Sequence, residues 1–255
     1  MKSVALVLGM FLSGLALSSV IGIRSAGYGQ KSDQPTRVQV GVMTERQRVH
    51  SKLFERYSAG RKLDTPIPER RRGRNTPESG EETVYLEPGI AVTSPDMPVH
   101  SFVDFLKELS CNADAVVIAS AKTRISQLTE NKEFLFSDYV VTVEEVFKNN
   151  SLAQIAPGSD ITVTRPGGRV EINGRIINAV DASFKALDVG SRYLLLVKYL
   201  PDTGAYTSMR KGSFLIQDDA LIALTEEGFP GGPGDTRIFT TEVRTVLASS
   251  CNRNK

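Results

Sequence analysis

The sequence predicts a mainly β fold, a small closed antiparallel barrel with one helix before it and one after it. Residues 134–147 form the longest run of aromatic and β-branched residues, the types that fit a pleated strand. Asn173-Gly174 lies between two short apolar runs and favours a two-residue hairpin turn, because both residues accept a positive φ. Apolar residues at helical spacing mark each end of this β-rich region.

The long strand, 134–147, alternates between two faces, as a strand with one buried face does. One face carries Tyr139, Val141 and Val143, and the other carries Asp138, Val140, Thr142 and Glu144. Strict alternation would place Glu145 on the core face. A β-bulge near residues 144–146 would return Val146 to the inside, and bulges are common where a strand bends around a barrel.

Further strands are predicted on both sides of this one. They cover residues 115–121, 160–165, 170–172, 175–180, 192–200, 206–209, 214–216 and 220–224, with a polar loop at 128–132. The run 192–200 is almost purely apolar, which is typical of a central strand buried on both faces. Arg165-Pro-Gly-Gly168 has the form of a type II turn, and Asp218-Asp219 joins the last two strands.

A helix is predicted at each end of the strands. The first begins after the N-cap Ser101 and carries an apolar stripe formed by Phe102, Phe105, Leu106 and Leu109. The last has Phe239, Val243, Val246 and Leu247 on one side, with Cys251 following on that side. Seven or so short strands between two helices favour an OB-like barrel over residues 96–255, with a β-sandwich as the alternative.

The N-terminal segment, residues 1–29, has the form of an export signal. Lys2 precedes a long apolar run over residues 4–23, and small residues follow it. A cleaved signal peptide is favoured, and an uncleaved membrane anchor formed by residues 4–23 is the rival, because about 20 apolar residues can span a bilayer. Both predict an exported protein, periplasmic or extracellular.

Residues 30–95 are predicted to form a basic and largely disordered linker. Over 31–80 the chain has 12 Lys/Arg against 6 Asp/Glu, whereas residues 81–255 have 17 against 23. A polar composition of this kind buries too little apolar surface to offset chain entropy. One short helix is predicted over 44–59, since Thr44 and Gln47 have the spacing of a capping box and Val49, Leu53 and Tyr57 recur every four residues.

The two cysteines, Cys111 and Cys251, bracket the β-rich region. In an exported protein this arrangement favours a disulfide that ties the two flanking helices together. A catalytic thiol is the alternative, but it needs a nearby base, and the histidines at 50 and 100 both lie outside the predicted barrel.

No specific enzymatic motif occurs in the sequence, so no catalytic, cofactor-binding or metal-ligating residue is predicted. Glu144 and Glu145 are neighbours on a strand and point to opposite faces. His100 is the only histidine considered near enough to a nucleophile. The net-acidic barrel disfavours nucleic-acid binding. Arg165, Arg169 and Arg175 on the central hairpin are predicted to contact an anion or a partner, although such arginines more often serve solubility.

Several stretches resemble a group of uncharacterised exported bacterial proteins. The shared stretches are Cys-Asn-Ala-Asp-Ala-Val-Val from 111, Phe-Ser-Asp-Tyr-Val-Val-Thr-Val-Glu-Glu-Val-Phe-Lys from 136, Thr-Arg-Pro-Gly-Gly from 164 and Arg-Tyr-Leu-Leu-Leu-Val from 192. The layout, with a cysteine before the first strand of a small barrel, is similar to the netrin-like modules of tissue inhibitors of metalloproteinases. In those inhibitors an N-terminal cysteine chelates the target zinc. Cys111 follows a helix and is not a chain terminus, so the resemblance implies the fold and not that activity.

The function favoured by these observations is an exported binding module without catalysis, whose ligand is a protein, a peptide or an envelope polymer. One alternative is a hydrolase that uses carboxylates from different strands, chosen from Asp138, Glu144, Glu171 and Asp181. Another is a membrane-tethered envelope protein, with residues 30–95 as a stalk.

Overall fold

The computed structural model describes residues 36–37, 43–65, 81–85, 102–181, 183–225, 235–249 and 251. Within these residues the helices are α1 (Glu45–Phe54), α2 (Phe102–Asn112) and α3 (Thr236–Ser249). The strands are β1 (Thr36–Arg37), β2 (Glu81–Tyr85), β3 (Ala115–Leu128), β4 (Leu135–Lys148), β5 (Asp160–Pro166), β6 (Gly168–Ile172), β7 (Arg175–Val180), β8 (Arg192–Leu200), β9 (Ala205–Gln217) and β10 (Ala220–Ala223). The chain is therefore mainly β with flanking helices.

The strands form two sheets. The larger sheet has the order β10-β9-β5-β4-β3-β8, and β9 also pairs with β8. Its pairs are antiparallel, except that β5 and β9 run parallel at Val163–Tyr206 and Thr164–Thr207. The smaller sheet has the order β1-β6-β7-β2, and its two outer strands run parallel to their neighbours.

The long hairpin formed by β3 and β4 connects the two sheets. From its middle to its open end, its inner face carries Val117, Tyr139 and Val141 into a core shared with β5, β8 and β9. Near its turn, Leu128 and Leu135 pack instead on the apolar side chains of β6 and β7. The helices α2 and α3 cover the opposite face of β3, β8 and β9 through Leu106, Val116, Leu194, Phe214 and Phe239.

The predicted bulge in the long strand is confirmed. Ile118 pairs with Glu145 and Ala119 pairs with Val143, so Glu144 is the extra residue between them. Val143 and Val146 consequently pack in the same core although they are three residues apart. The bulge keeps the apolar side chains inside while the strand changes phase.

The predicted Asn173-Gly174 turn is also confirmed, with φ of 51° and 73° at the two residues. Its hairpin, β6–β7, was expected within the barrel and lies instead in the smaller sheet. The chain crosses from β5 to β6 at Gly167 and Gly168, where φ is 85° and 153°. A Cβ at Gly168 would lie 2.7 Å from the Ser126 hydroxyl and closer still to that of Ser137, so only glycine fits this crossing.

Several element boundaries differ from those predicted. The first strand was expected to stop at 121 and continues to Leu128, and the segments 206–209 and 214–216 form one strand, β9. The helix predicted over 44–59 begins after Thr44 and has the expected capping box with Gln47, but it ends at Phe54.

The segment 30–95, expected to be a largely disordered linker with one short helix, contains ordered parts beyond that helix among its described residues. Residues 43–65 wrap around the β3–β4 turn, where Phe54 packs on Phe134 and Phe136, and Leu63 is fully buried. Residues 81–85 form β2 and pair along β7. A polar segment that cannot form its own core can still dock a few apolar side chains onto a surface that another segment provides. Residues 30–35, 38–42, 66–80 and 86–101, which include His100 and the predicted N-cap Ser101, lie outside the described part of the chain.

The predicted signal peptide or anchor at 1–29 also lies outside the described residues. Among the helices that the structure describes, none combines the length and the apolar character that a bilayer span requires.

Candidate functional site

The three arginines predicted to contact an anion do not form one patch. Arg165 is buried inside the larger sheet. Arg169 pairs with Glu81 at 3.0 Å, and Arg175 pairs with Glu82 at 3.5 Å, so both stabilise the docking of β2 on the hairpin. The anion contact stays a prediction, but each of these side chains already has a partner within the chain.

Arg165 makes contacts unusual for a buried cation. Its guanidinium donates to the hydroxyls of Ser208 at 3.2 Å and Ser213 at 2.6 Å, and to the Lys185 carbonyl at 2.8 Å, and it lies over the ring of Phe184. Burial lowers the pKa of Arg165 to about 10. Arg165 therefore links the loop after β7, through the Lys185 carbonyl, to Ser208 and Ser213 on β9. This gives Arg165 a structural role.

The four carboxylates of the hydrolase hypothesis are not brought together by the described contacts. Asp138 bonds to His50, while Glu144 pairs with Arg192. These two are six residues apart on β4, which corresponds to about 20 Å along a strand. Glu171 lies on β6 of the smaller sheet, and Asp181 follows β7 and accepts from the Ser183 amide. Among the contacts described for these four carboxylates, no two of them have a common partner.

His50, for which the sequence predicts no role, occupies a fully enclosed polar site on α1. Its Nδ1 lies 2.9 Å from Asp138 Oδ1, and its Nε2 lies 3.0 Å from Thr203 Oγ1. The order carboxylate–imidazole–hydroxyl is that of a nucleophilic triad. The imidazole is 0% exposed, however, and both of its nitrogens are bonded within the chain. We therefore assign His50 to docking α1 on β4 and on the β8–β9 turn.

Apolar periodicity in the sequence located the buried side of α1 only in part, since Leu53 and Tyr57 pack beside Phe54. The predicted apolar stripe at Val49, Leu53 and Tyr57 is only partly buried, and the adjacent stripe of His50 and Phe54 is fully buried. Hydrophobic periodicity cannot locate a face whose central residue is a polar side chain with its partners far away in sequence.

The outer face of the larger sheet carries a row of polar side chains in register across four strands. Arg192 on β8 lies opposite Ser120 on β3, Ser120 opposite Thr142 on β4, and Thr142 opposite Asp160 on β5. Lys122 and Glu144 flank these residues. We call the set of six the polar row: Arg192, Ser120, Thr142, Asp160, Lys122 and Glu144. Three strand spacings make it about 14 Å long.

The polar row consists of two clusters, each with a hydroxyl, a carboxylate and a cation. In the first, the Ser120 hydroxyl and Arg192 Nε donate to Glu144, the latter at 2.8 Å. In the second, Thr142 donates to Asp160 at 2.6 Å and Lys122 donates to it at 2.8 Å. All four charged side chains remain 35–58% exposed, so these groups are held in place yet accessible.

Both carboxylates of the polar row are biased toward the ionised form. The hydrogen bonds from Lys122 and then Thr142 lower the pKa of Asp160. Partial burial raises the pKa of Glu144, but the hydrogen bonds from Ser120 and Arg192 outweigh it, and the net pKa is lowered. Both clusters therefore keep their carboxylates ionised at neutral and mildly acidic pH.

Cys111, in the last turn of α2, and Cys251, just beyond α3, lie at disulfide distance with 5.2 Å between their Cα atoms. This spacing is within the range of protein disulfides. Such a pair is compatible with an exported protein.

In the part of the chain that the structure describes, no three His, Cys, Asp or Glu side chains are grouped as a metal ion would need. No protein-family model matches the sequence, and no curated protein is significantly similar to it.

Proposed function

We propose that the chain is an exported binding module that contacts its partner through the polar row. The observation that carries this proposal is the in-register arrangement of Arg192, Ser120, Thr142 and Asp160 across four strands. Side chains fixed by a sheet and by their own hydrogen bonds lose little conformational freedom on binding, which favours recognition.

The fold supports this proposal by leaving this surface accessible. In the described part of the chain, α2 and α3 cover the outer face of β3, β8 and β9 beyond the row, and α1 covers the outer face of β4 near its start. The part of the outer face between these two covered regions is exposed and carries the polar row. Cysteines at disulfide distance add support for export.

We also infer that β3, β4, β5, β9 and β8 close into a five-stranded OB-like barrel. Each of these strands pairs with the next, and β8 pairs with β3 again, so the pairings form a ring. A ring of pairings favours a barrel over the alternative β-sandwich, because a sandwich keeps free edges. It also supports the resemblance to netrin-like modules at the level of fold.

Binding can be tested by co-sedimentation of the full chain with the insoluble envelope fraction of cells that produce it. A variant with Glu144→Gln and Asp160→Asn weakens both clusters while keeping side-chain shape. Arg237→Gln is the matched control, since it breaks the exposed Arg237–Asp219 pair away from the row. We expect the wild type and the control to sediment and the double variant to stay soluble. Equal sedimentation of all three would refute the proposed surface.

A further inference from the structure

The charges of the polar row indicate what kind of ligand it fits. Arg192 and Lys122 are balanced by Glu144 and Asp160, so the row has no net charge. A surface of this kind gives no long-range attraction for a polyanion, whose binding depends on an excess of cations. A ligand of the row must therefore be recognised by hydrogen bonds at short range.

Each cluster offers a donor and an acceptor side by side. The carboxylate oxygens have lone pairs beyond those used within the cluster, and the Lys122 ammonium has three N–H groups of which one is directed to Asp160. A pair of neighbouring hydroxyls on a ligand complements this arrangement. One hydroxyl donates to the carboxylate, and the other accepts from the cation.

The two clusters also have a spacing that suits a repeating ligand. Ser120 and Thr142, one from each cluster, are directly opposed on β3 and β4, so their Cα atoms are roughly 5 Å apart at the sheet surface. This is comparable to the length of one sugar unit in a polysaccharide. Consecutive sugars of one chain can then present their hydroxyl pairs to consecutive clusters.

We propose that the polar row binds an uncharged glycan by forming hydrogen bonds with the vicinal hydroxyl pairs of adjacent sugars. This inference rests on the binding function proposed above. The lowered pKa of both carboxylates supports it, because the acceptors stay ionised over a wide pH range.

The test uses the full chain and three soluble polymers in affinity electrophoresis. Dextran is uncharged and rich in vicinal diols. Periodate-oxidised and borohydride-reduced dextran is also uncharged but has lost those diols, and heparin is a sulfated polyanion. We expect dextran alone to retard the protein, equally at low salt and at about 0.5 M salt, where charge attraction is screened within a few ångströms.

Variants test whether retardation by dextran depends on the polar row. The Glu144→Gln/Asp160→Asn variant is expected to bind dextran about tenfold more weakly or worse, since hydrogen bonds to charged groups are lost. Arg237→Gln should bind like the wild type. Unfolding midpoints of all variants, measured in urea, separate loss of binding from loss of folding. A folded double variant with unchanged dextran binding would overturn the proposal.

The outcomes distinguish this inference from the broader function. Retardation by heparin that salt abolishes, or no retardation by dextran, overturns the glycan inference. The binding function itself survives those results if the envelope fraction still retains the wild type and not the double variant. If the double variant sediments like the wild type, the proposed function fails together with this inference.

Discussion

His50 Nδ1 lies 2.9 Å from Asp138 Oδ1, although 88 residues separate the two in the sequence. The contact joins α1, from the polar N-terminal region, to the long strand β4. Thr203 completes the arrangement from the β8–β9 turn, 3.0 Å from the second ring nitrogen. A fully buried imidazole with both nitrogens bonded fixes the position of α1 on the sheet, because breaking either contact leaves a buried polar group without a partner.

The first prediction concerns this docking. His50→Ala removes the imidazole and leaves Asp138 and Thr203 without their partner, so we expect a loss of about 1–3 kcal/mol in the free energy of unfolding. Hydrogen exchange should increase most over residues 43–65. Arg46→Ala, on the exposed side of α1, is the matched control and should change neither. Unchanged protection over 43–65 in the His50 variant would show that other contacts hold the helix.

The second prediction concerns the crossing between the sheets. Gly168→Ala places a Cβ against the Ser126 and Ser137 hydroxyls, which hydrogen-bond to each other at 2.8 Å. We expect a loss of about 1–3 kcal/mol in urea unfolding from overpacking. Gly158→Ala is the control, because its φ of 85° is also positive but nothing lies within 4 Å of the added carbon. Equal losses would mean that backbone strain alone accounts for the effect at Gly168.

The third prediction concerns the cysteines. If Cys111 and Cys251 are bonded, the bond closes a loop with a sequence separation of 140 residues. In the chain-entropy model its removal costs about 4–5 kcal/mol. Cys111→Ser/Cys251→Ser should therefore unfold at lower urea, and a thiol reductant should shift the wild type to the same midpoint without affecting the variant. A reductant without effect on the wild type would contradict the bond.

The fourth prediction concerns Asp181. Burial raises the pKa of this carboxyl, and the Ser183 amide, Arg210 and Arg165 offset that effect only in part. A folded-state pKa above the unfolded one means that the folded chain binds the proton more tightly, so the ionised carboxylate reduces stability at neutral pH. This penalty disappears as the pH falls through the raised pKa toward about 4, the unfolded value.

Asp181→Asn keeps an acceptor for the Ser183 amide and carries no charge. The variant should be more stable than the wild type at pH 7, and the difference should vanish near pH 4. Urea unfolding of both proteins between these pH values measures the difference directly, and general acid effects cancel in the comparison. A variant less stable than the wild type at pH 7 would mean that the attraction of the Asp181 carboxylate to Arg165 and Arg210 outweighs the free-energy cost of burying its charge.

Local signals in the sequence located most elements within the β-rich region. The Asn173-Gly174 turn, the bulge at Glu144, the strand at 192–200 and the two flanking apolar stripes depend on neighbouring residues, and the structure contains each of them. Local backbone preference and side-chain alternation suffice for such features, because the interactions that decide them span only a few residues.

Tertiary structure decided where those elements went. The β6–β7 hairpin joins strands from the N-terminal region rather than the larger sheet, and the polar segment 43–65 docks through His50, Phe54 and Leu63. The polar row exists only because β8, β3, β4 and β5 align in register. Thr142 and Glu144 were already visible as the polar face of one strand. Their partners Ser120, Asp160 and Arg192 could not be found from the sequence, because strand pairing between distant segments depends on which buried faces meet.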